Sequence, residues 1–193
     1  MMKKVLPVLA LVLVAACVPG CSTNTQGDDA SPVFITITFD GVPVRTNVAL
    51  AEPLQISTTT YSSVLKNPSG GTSQFLDVRL DDYTVTWRRL DGGKTVPQPE
   101  TFGIAANGLV PVGGTQAVTN QMYLTATAIQ RSPLDKLLPF NGGIDNETGS
   151  SEIRMVAVVT VRGHTLSGQP VSGSGTFNAD FFYAPLARKA SSK

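Results

Sequence analysis

Two neighbouring stretches near the end of the chain decide the fold: IRMVAVVTV at Ile153–Val161 and VSGSGTFNADFFY at Val171–Tyr183. The first is apolar on both faces near its middle, which is typical of a central β-strand that is covered on both sides. The second alternates between apolar and polar residues, as a half-buried strand does. A turn through Gly163, Ser167 and Gly168 separates them, so the pair predicts an antiparallel β-hairpin.

Strand patterns also occur earlier in the chain. Val33–Phe39 alternates and ends at a turn formed by Asp40 and Gly41. The run Val48–Ile56 is weaker, because Pro53 would confine it to a sheet edge or a bulge.

A change of parity marks the strand pattern from Leu76 to Trp87. The apolar set moves to the other parity after Asp81 and Asp82, and a β-bulge or tight turn there would restore the register. A further alternating run, Met122–Ala128, predicts another strand.

Six or seven strands in about 155 residues, with no long helical period, predict an all-β fold. A single antiparallel β-sandwich is the simplest arrangement, and a small β-barrel is the alternative. Trp87 suits a sandwich core, and Arg89 shares its face at the rim. The pattern resembles immunoglobulin-like modules in architecture only, because no cysteine in the domain could form an inter-sheet disulfide.

The N-terminus has the pattern of a secretory signal peptide. A short basic segment, Met1–Lys4, precedes the apolar run Val5–Ala16, and small residues and cysteine follow. The run is about a dozen residues long, which is shorter than the roughly 20 that a spanning helix needs. Pro7 and Pro19 also disfavour a permanent transmembrane helix.

The stretch LVAAC at Leu13–Cys17 resembles the lipobox of bacterial lipoproteins. The resemblance implies that the Cys17 thiol receives a diacylglyceryl group and that the chain is cleaved before Cys17. Cys21, in VPGC at Val18–Cys21, is the alternative, although the proline departs from the usual pattern. A plain secreted protein with the two cysteines bridged or unused is the remaining possibility.

The lipoprotein resemblance also implies a location. Two or more acyl chains anchor a protein stably to a membrane. In this family an aspartate directly after the lipidated cysteine tends to retain the protein at the inner membrane in enterobacteria. Val18 and Ser22 occupy that position here. We therefore expect a lipid-anchored protein of the cell envelope, at the outer membrane if the host is Gram-negative.

These patterns divide the chain into four parts. Residues 1–16 are the expected signal peptide, 17–31 the lipidated N-terminus and a flexible tether, 32–187 the β-sandwich, and 188–193 a C-terminal tail. Ser22–Ser31 contains no large apolar residue, so this stretch cannot bury enough surface to offset its ordering entropy.

Composition excludes several function classes. The chain has 15 basic and 14 acidic residues, and removal of Lys3 and Lys4 leaves 13 and 14, a net charge near −1. This balance gives no basic field for nucleic acid. Both cysteines lie within the first 21 residues and the chain has one histidine, so the domain has no Cys/His metal site. No cofactor is expected.

One long connection, residues 131–151, interrupts the β pattern. Ser132 is a candidate N-cap and Pro133 a candidate first helical residue, which predicts one or two helical turns between Ser132 and Phe140. Its leucines and Phe140 could plug an open end of the sandwich, which is the simpler interpretation. Long loops can also bind partners, and the sequence leaves both possibilities open.

The candidates for metal or catalytic chemistry are weak. Asp81 with Asp82, and Asp145 with Glu147, could supply oxygen ligands to Ca²⁺, but neither pair has EF-hand spacing. His164 falls in the expected turn and is not accompanied by a GxSxG motif. We expect no catalysis and no tightly held metal.

Two classes of function are compatible with these features. The first is a lipid-anchored, non-enzymatic module of the cell envelope that contacts a protein or glycan partner. The second is a hydrolase or a small-ligand carrier with a site in a cleft or barrel mouth.

The lipobox resemblance predicts that the mature chain begins at an acylated Cys17. Mass spectrometry of the detergent-extracted protein measures this directly. A mature N-terminus at Cys21 would move the site by four residues and leave the class unchanged. A soluble, unacylated product would contradict the lipoprotein assignment.

Overall fold

The computed structural model describes residues 31–104 and 108–185. This part of the chain is all-β, with two packed sheets, as predicted. Its strands are β1 (Val33–Phe39), β2 (Val44–Asn47), β3 (Leu54–Leu65), β4 (Val78–Arg89), β5 (Glu100–Gly103), β6 (Leu109–Val110), β7 (Thr115–Leu124), β8 (Glu152–Thr165) and β9 (Pro170–Phe182). One short α-helix, α1 (Ala126–Ile129), accompanies 3-10 turns at Val48–Leu50, Pro68–Gly70, Gln74–Leu76, Leu134–Leu137 and Pro139–Asn141.

The two sheets have different sizes. The smaller has the order β1-β3-β7, and the larger has the order β2-β9-β8-β4-β5, with β6 paired to the start of β4. Neighbouring strands are antiparallel except for β2, which runs parallel to β9. The two sheets pack against each other as a sandwich, and one isolated bridge, Ser63 to Val112, connects the smaller sheet to the segment that follows β6.

The hairpin predicted from the C-terminal stretches is present as β8 and β9, which pair along their whole length. The inward side chains of β8 are completely buried: Ile153, Met155, Ala157, Val159 and Val161. On the outer face of β8 only Val156 is buried. The prediction that this strand is covered on both faces is therefore confirmed only at Val156. Gly163, expected in the turn, lies inside β8.

Gly163 lies opposite the predicted irregularity of β4. The register between β4 and β8 shifts between Leu80 and Asp82, which confirms the bulge expected at Asp81 and Asp82. A Cβ at Gly163 would come within 2.2 Å of the Arg79 carbonyl oxygen. Glycine at position 163 therefore lets the bulged backbone of β4 lie close to the backbone of β8.

Trp87 lies in the core, as predicted. Its side chain is 4% exposed and makes edge contacts with the rings of Phe177 and Phe181, at centroid distances of 6.1 and 5.8 Å. Such contacts between β4 and β9 pack aromatic rings in the interior of the sandwich.

The prediction for Val48–Ile56 is confirmed at its C-terminal end, where Leu54–Ile56 belongs to β3 and the register with β7 shifts between Leu54 and Gln55, beside Pro53. It is wrong for residues 48–50 and for the position at a sheet edge. Residues 48–50 form a 3-10 turn, and β3 is the middle strand of the smaller sheet. The sequence pattern failed because Thr59 and Ser63 are polar yet point inward, and the Thr59 hydroxyl lies 2.6 Å from the Tyr123 hydroxyl. Buried polar residues such as Thr59 and Ser63 hide the alternation that marks a strand.

The prediction for Met122–Ala128 is wrong at its C-terminal end. β7 ends at Leu124 and α1 begins at Ala126. The Thr125 side chain caps this helix by accepting a hydrogen bond from the Ala128 amide at 3.2 Å. Alanine favours a helix wherever a cap is available.

The helical turns expected between Ser132 and Phe140 are present as two 3-10 turns. Ser132 is not the cap, because Pro133 occupies the position before the first turn and no side chain caps it.

The strand directions define two ends of the sandwich. The N-terminal end comprises Ser31 and the connections 66–77 and 166–169. The loop end comprises the connections 40–43, 90–99 and 125–151. A rise of about 3.3 Å per residue over the twelve residues of β4 separates the two ends by about 36 Å.

The two sheets approach most closely where β1 crosses β9. A Cβ at Gly173 would come within 2.2 Å of the Ile35 carbonyl oxygen, and one at Gly175 within 3.1 Å of the Ile37 side chain. Glycine in β9 therefore allows β1 to lie directly on the larger sheet.

We predict that Gly173→Ala destabilises the domain by about 1–3 kcal/mol, because the added methyl group forces the β9 backbone away from the β1 backbone. Urea unfolding measures the change. Gly103→Ala is the matched control in a strand, since its Cβ would meet nothing within 4 Å and the change should stay within about 0.5 kcal/mol. Equal effects of the two substitutions would contradict the close approach.

Candidate functional site

The most highly organised polar cluster in the described residues surrounds Arg89, the last residue of β4. Its side chain is 1% exposed, and that of Asp145 is 2% exposed. The guanidinium donates to both carboxylate oxygens of Asp91, from Nε at 2.7 Å and from Nη2 at 3.0 Å. Nη2 also donates to Asp145 Oδ2 at 2.7 Å, and Nη1 to the Thr95 carbonyl at 3.3 Å. One buried cation therefore joins two loops.

The carboxylates of this cluster are held in their charged form. Burial by itself would raise the pKa of Asp145, but hydrogen bonds from Arg89 and from Thr148 hold it below its ordinary value. The pKa of Asp91 is also lowered: burial opposes this, while Arg89 and the Arg154 backbone amide outweigh it. Burial would lower the pKa of Arg89, and the two carboxylates raise it instead. One cation thus faces two carboxylates, and hydrogen bonds from Thr148 and from the Arg154 amide stabilise the remaining negative charge.

Glu147 fastens the same two loops from outside. Its carboxylate accepts hydrogen bonds from the Lys94 and Thr95 backbone amides and from the Thr95 hydroxyl. These bonds lower the pKa of Glu147 below its ordinary value. The segment 91–95 and the segment 145–148 thus form one bonded unit at the loop end.

The long connection 131–151 is both a plug and an exposed surface. Leu134 and Leu137 are completely buried and Leu138 packs partly against the core, which confirms the plug for these leucines. Phe140 does not join them, because its side chain is 81% exposed. Ile144, just before Asp145, and Leu90, just after Arg89, are exposed as well.

A cavity of about 250 Å³ lies beside the start of this connection. It is lined by Val96, Pro97, Gln98, Glu100, Thr125, Thr127, Ala128, Arg131 and Ser132. Glu100 fixes one wall, accepting hydrogen bonds from the Thr125 amide at 2.9 Å and the Thr125 hydroxyl at 2.6 Å. Arg131 is exposed and forms no ion pair with a described residue. The cavity therefore combines apolar walls with one available cation.

The residues proposed as calcium ligands are not brought together. Asp81 lies 3.0 Å from His164 Nδ1, and Asp82 accepts a hydrogen bond from Arg162 Nε at 3.0 Å. Asp145 and Glu147 are occupied by Arg89 and by backbone amides at the loop end. The described residues contain no group of three or more His, Cys, Asp or Glu side chains that could hold a metal ion.

His164 was expected in a turn, and that placement is wrong. It lies within β8, opposite Arg79 of β4, because the hairpin continues to Thr165 before it turns. Its partner Asp81 is the extra residue of the β4 bulge. Both side chains are substantially exposed, so the pair lies on the surface of the sheet.

The proposed lipidation sites Cys17 and Cys21 lie outside the described residues, as does the C-terminal tail from 188 onward. None of the helices in residues 31–104 and 108–185 has the length and hydropathy needed to cross a membrane.

Sequence reasoning placed Arg89 at the rim of the core and missed its partners. The local signal was the spacing of Arg89 and Asp91, two residues apart at the end of a strand. Asp145 is 56 positions away from Arg89, so only the folded chain brings these two side chains together.

No protein family matches the chain, and comparison with curated proteins and with solved structures finds no similar protein. The class that the fold defines is an all-β sandwich, and its candidate site is the loop end.

The Arg89 cluster predicts that Asp145→Asn costs about 1.5–3 kcal/mol in the free energy of unfolding at pH 7, because the substitution weakens the buried charged hydrogen bond from Arg89, although Asp91 still pairs with the guanidinium. The folded pKa of Asp145 is lowered, so its contribution is present above the unfolded value of about 3.9 and is lost as pH falls further. Urea unfolding from pH 7 down to about pH 2 should show the two proteins converging in acid.

Asp82→Asn is the control for this comparison. Asp82 pairs with Arg162 at 3.0 Å, but the two side chains are 34% and 58% exposed, and such surface pairs contribute about 0–1 kcal/mol. A cost for Asp145→Asn no larger than that of the control would show that the buried cluster does not fasten the loops.

Proposed function

We propose that this protein is a lipid-anchored, non-enzymatic binding module of the cell envelope, and that the loop end contacts a protein partner. The anchor is the acylated Cys17 implied by the lipobox resemblance, with Cys21 as the alternative. The outer membrane is the proposed location in a Gram-negative host.

The observation that carries the proposal is the exposed Phe140 on a firmly fastened loop. Plugging the sandwich accounts for Leu134 and Leu137 but gives no reason for an aromatic ring in water. Aromatic residues that stay exposed on a preorganised surface are typical anchors of protein interfaces. The buried Arg89 cluster reduces the entropy that this loop would lose on binding.

The surroundings of Phe140 support a protein partner over a glycan. Sugars present hydroxyl groups that need hydrogen-bond partners, and two of the three carboxylates of this loop, those of Asp145 and Glu147, are already occupied inside the domain. Two further apolar side chains of the loop end, Leu90 and Ile144, are exposed. They complement an apolar patch better than a carbohydrate.

The cavity beside Arg131 adds specificity. Its volume of about 250 Å³ is below the roughly 300–1,000 Å³ usual for small-molecule sites, which disfavours a ligand carrier. It would receive one side chain of a partner, with an acidic group close to Arg131. A partner segment with an apolar residue and a carboxylate fits this combination.

We also infer that the sandwich is of the immunoglobulin-like kind. The order β1-β3-β7 corresponds to strands A, B and E of such a domain, and β9-β8-β4 to strands G, F and C. Trp87 on β4 corresponds to the buried tryptophan of strand C. The domain differs from antibody domains in that it cannot form an inter-sheet disulfide, because Cys17 and Cys21 are the chain's only cysteines.

Phe140→Ser is expected to weaken partner binding by about 2 kcal/mol, roughly 30-fold, as for a central interface residue. The experiment crosslinks intact cells that produce the full-length chain, purifies the anchored protein and quantifies the protein bound to it. Arg131→Gln should reduce recovery of the same protein by removing the cation.

Leu109→Ser is the control, because Leu109 is an exposed apolar residue on β6, away from the loop end. It should leave recovery unchanged, and urea unfolding checks that all three variants are folded. Equal recovery from Phe140→Ser and the control would contradict a partner at the loop end. Recovery of a glycan in place of a protein would replace the proposed partner.

A further inference from the structure

We propose that the N-terminal end of the sandwich rests on the lipid surface, with Phe75 and Leu166 inserted at the boundary between headgroups and acyl chains. This inference rests on the proposed lipid anchor and adds the orientation of the domain. The partner surface at the loop end would then face away from the membrane.

Two apolar side chains mark this end. Phe75 is 61% exposed and Leu166 is 49% exposed, and they lie on different connections. The Ser167 amide donates to the Phe75 carbonyl at 3.0 Å, and the Leu166 amide donates to the Asp77 carbonyl at 2.9 Å. Backbone hydrogen bonds therefore hold the two connections side by side, so Phe75 and Leu166 belong to one surface.

The chain enters the domain at the same end. The Lys66 amide donates to the Pro32 carbonyl at 2.8 Å, which fixes the start of β1 against the end of β3. A shallow hollow of about 240 Å³ lies here, lined by Pro32, Leu65, Lys66, Asn67, Gly70, Gly71 and Leu76. An anchor preceding Ser31 therefore attaches at this end of the domain and favours its approach to the lipid over that of the loop end.

The segment between the anchor and the domain does not supply a cover for this surface. Ser22–Ser31 contains no large apolar residue that could pack on Phe75 or Leu166. Lipid is the apolar phase that an acylated chain necessarily has nearby. Lipid is therefore the occupant to which the position of the N-terminus points.

The charges at this end suit a membrane surface. Lys66 Nζ lies 4.9 Å from the centre of the Phe34 ring, so its cationic head and an aromatic ring share the edge of the smaller sheet. Arg79, in β4, is exposed and forms no ion pair with a described residue. Cations beside apolar side chains favour contact with phosphate headgroups.

Two inserted side chains would bind weakly from solution. An acyl anchor changes this, because a short linker makes the second contact intramolecular and raises its effective concentration to the millimolar range. A small apolar surface is then sufficient to orient the domain.

The test places a tryptophan at either end of the full-length, acylated protein. Phe75→Trp and Phe140→Trp are each reconstituted into phosphatidylcholine–phosphatidylglycerol vesicles that contain brominated acyl chains. Quenching of tryptophan fluorescence is compared with that of the parent protein, whose single tryptophan is the buried Trp87. We expect strong quenching at position 75, with a depth within about 5–10 Å of the headgroup boundary. Position 140, about 36 Å further along the sandwich, should not be quenched.

Replacing Leu166 with Ser in the Phe75→Trp protein should reduce this quenching, because half of the inserted surface is lost. Iodide in the aqueous phase provides the opposing measurement. Position 75 shielded from iodide but not quenched by brominated lipid would show that a protein, or a second copy of the chain, covers this end, and would overturn the proposal. Equal quenching at positions 75 and 140 would overturn it too.

Intact mass of the same sample separates the two proposals. An acylated chain without quenching at position 75 refutes the orientation and leaves the proposed function standing. A chain without acyl groups refutes the lipid anchor and the orientation together.

Discussion

The loop end of this protein depends on one buried cation, the guanidinium of Arg89. A charge at the end of a core strand is costly unless it is matched, and here two carboxylates and a carbonyl match it. Because Asp91 and Asp145 belong to different connections, neutralising Arg89 also fixes the geometry of both. The leucine plug adds apolar burial beneath this cluster, and Glu147 closes it from the solvent side.

This arrangement gives the two ends of the sandwich different characters. At the loop end, Arg89, Asp91 and Asp145 pair inside the domain, while Phe140, Leu90 and Ile144 are exposed to water. At the N-terminal end, Phe75 and Leu166 are exposed beside the point where the chain enters the domain. Between them, close packing of β1 on glycine residues of β9 joins the two sheets. The proposed roles, a partner surface at one end and a lipid contact at the other, use this polarity of the fold.

Apart from β8, the strands that were predicted correctly are those whose polar and apolar residues lie on opposite faces. β1, β4 and β9 follow the period of two, and even the bulge at Asp81 was visible as a change of parity. Most of β3 was not predicted because Thr59 and Ser63 are buried polar residues. In the sequence, a hydroxyl that hydrogen-bonds to Tyr123 inside the core cannot be distinguished from one that faces water. The helix α1 was not predicted because its four residues are too few to show a helical period.

The sequence by itself determined the all-β class, the central hairpin, the place of Trp87 in the core and the N-terminal pattern on which the proposed anchor rests. Alternation and signal-peptide patterns are local, so a single chain read in order reveals them. Only the tertiary structure decided that Asp145 neutralises Arg89, that the leucines of the long connection are buried while Phe140 is exposed, and that Phe75 and Leu166 share one end. Each of these depends on residues far apart in the chain, and their distances are fixed only when the two sheets pack.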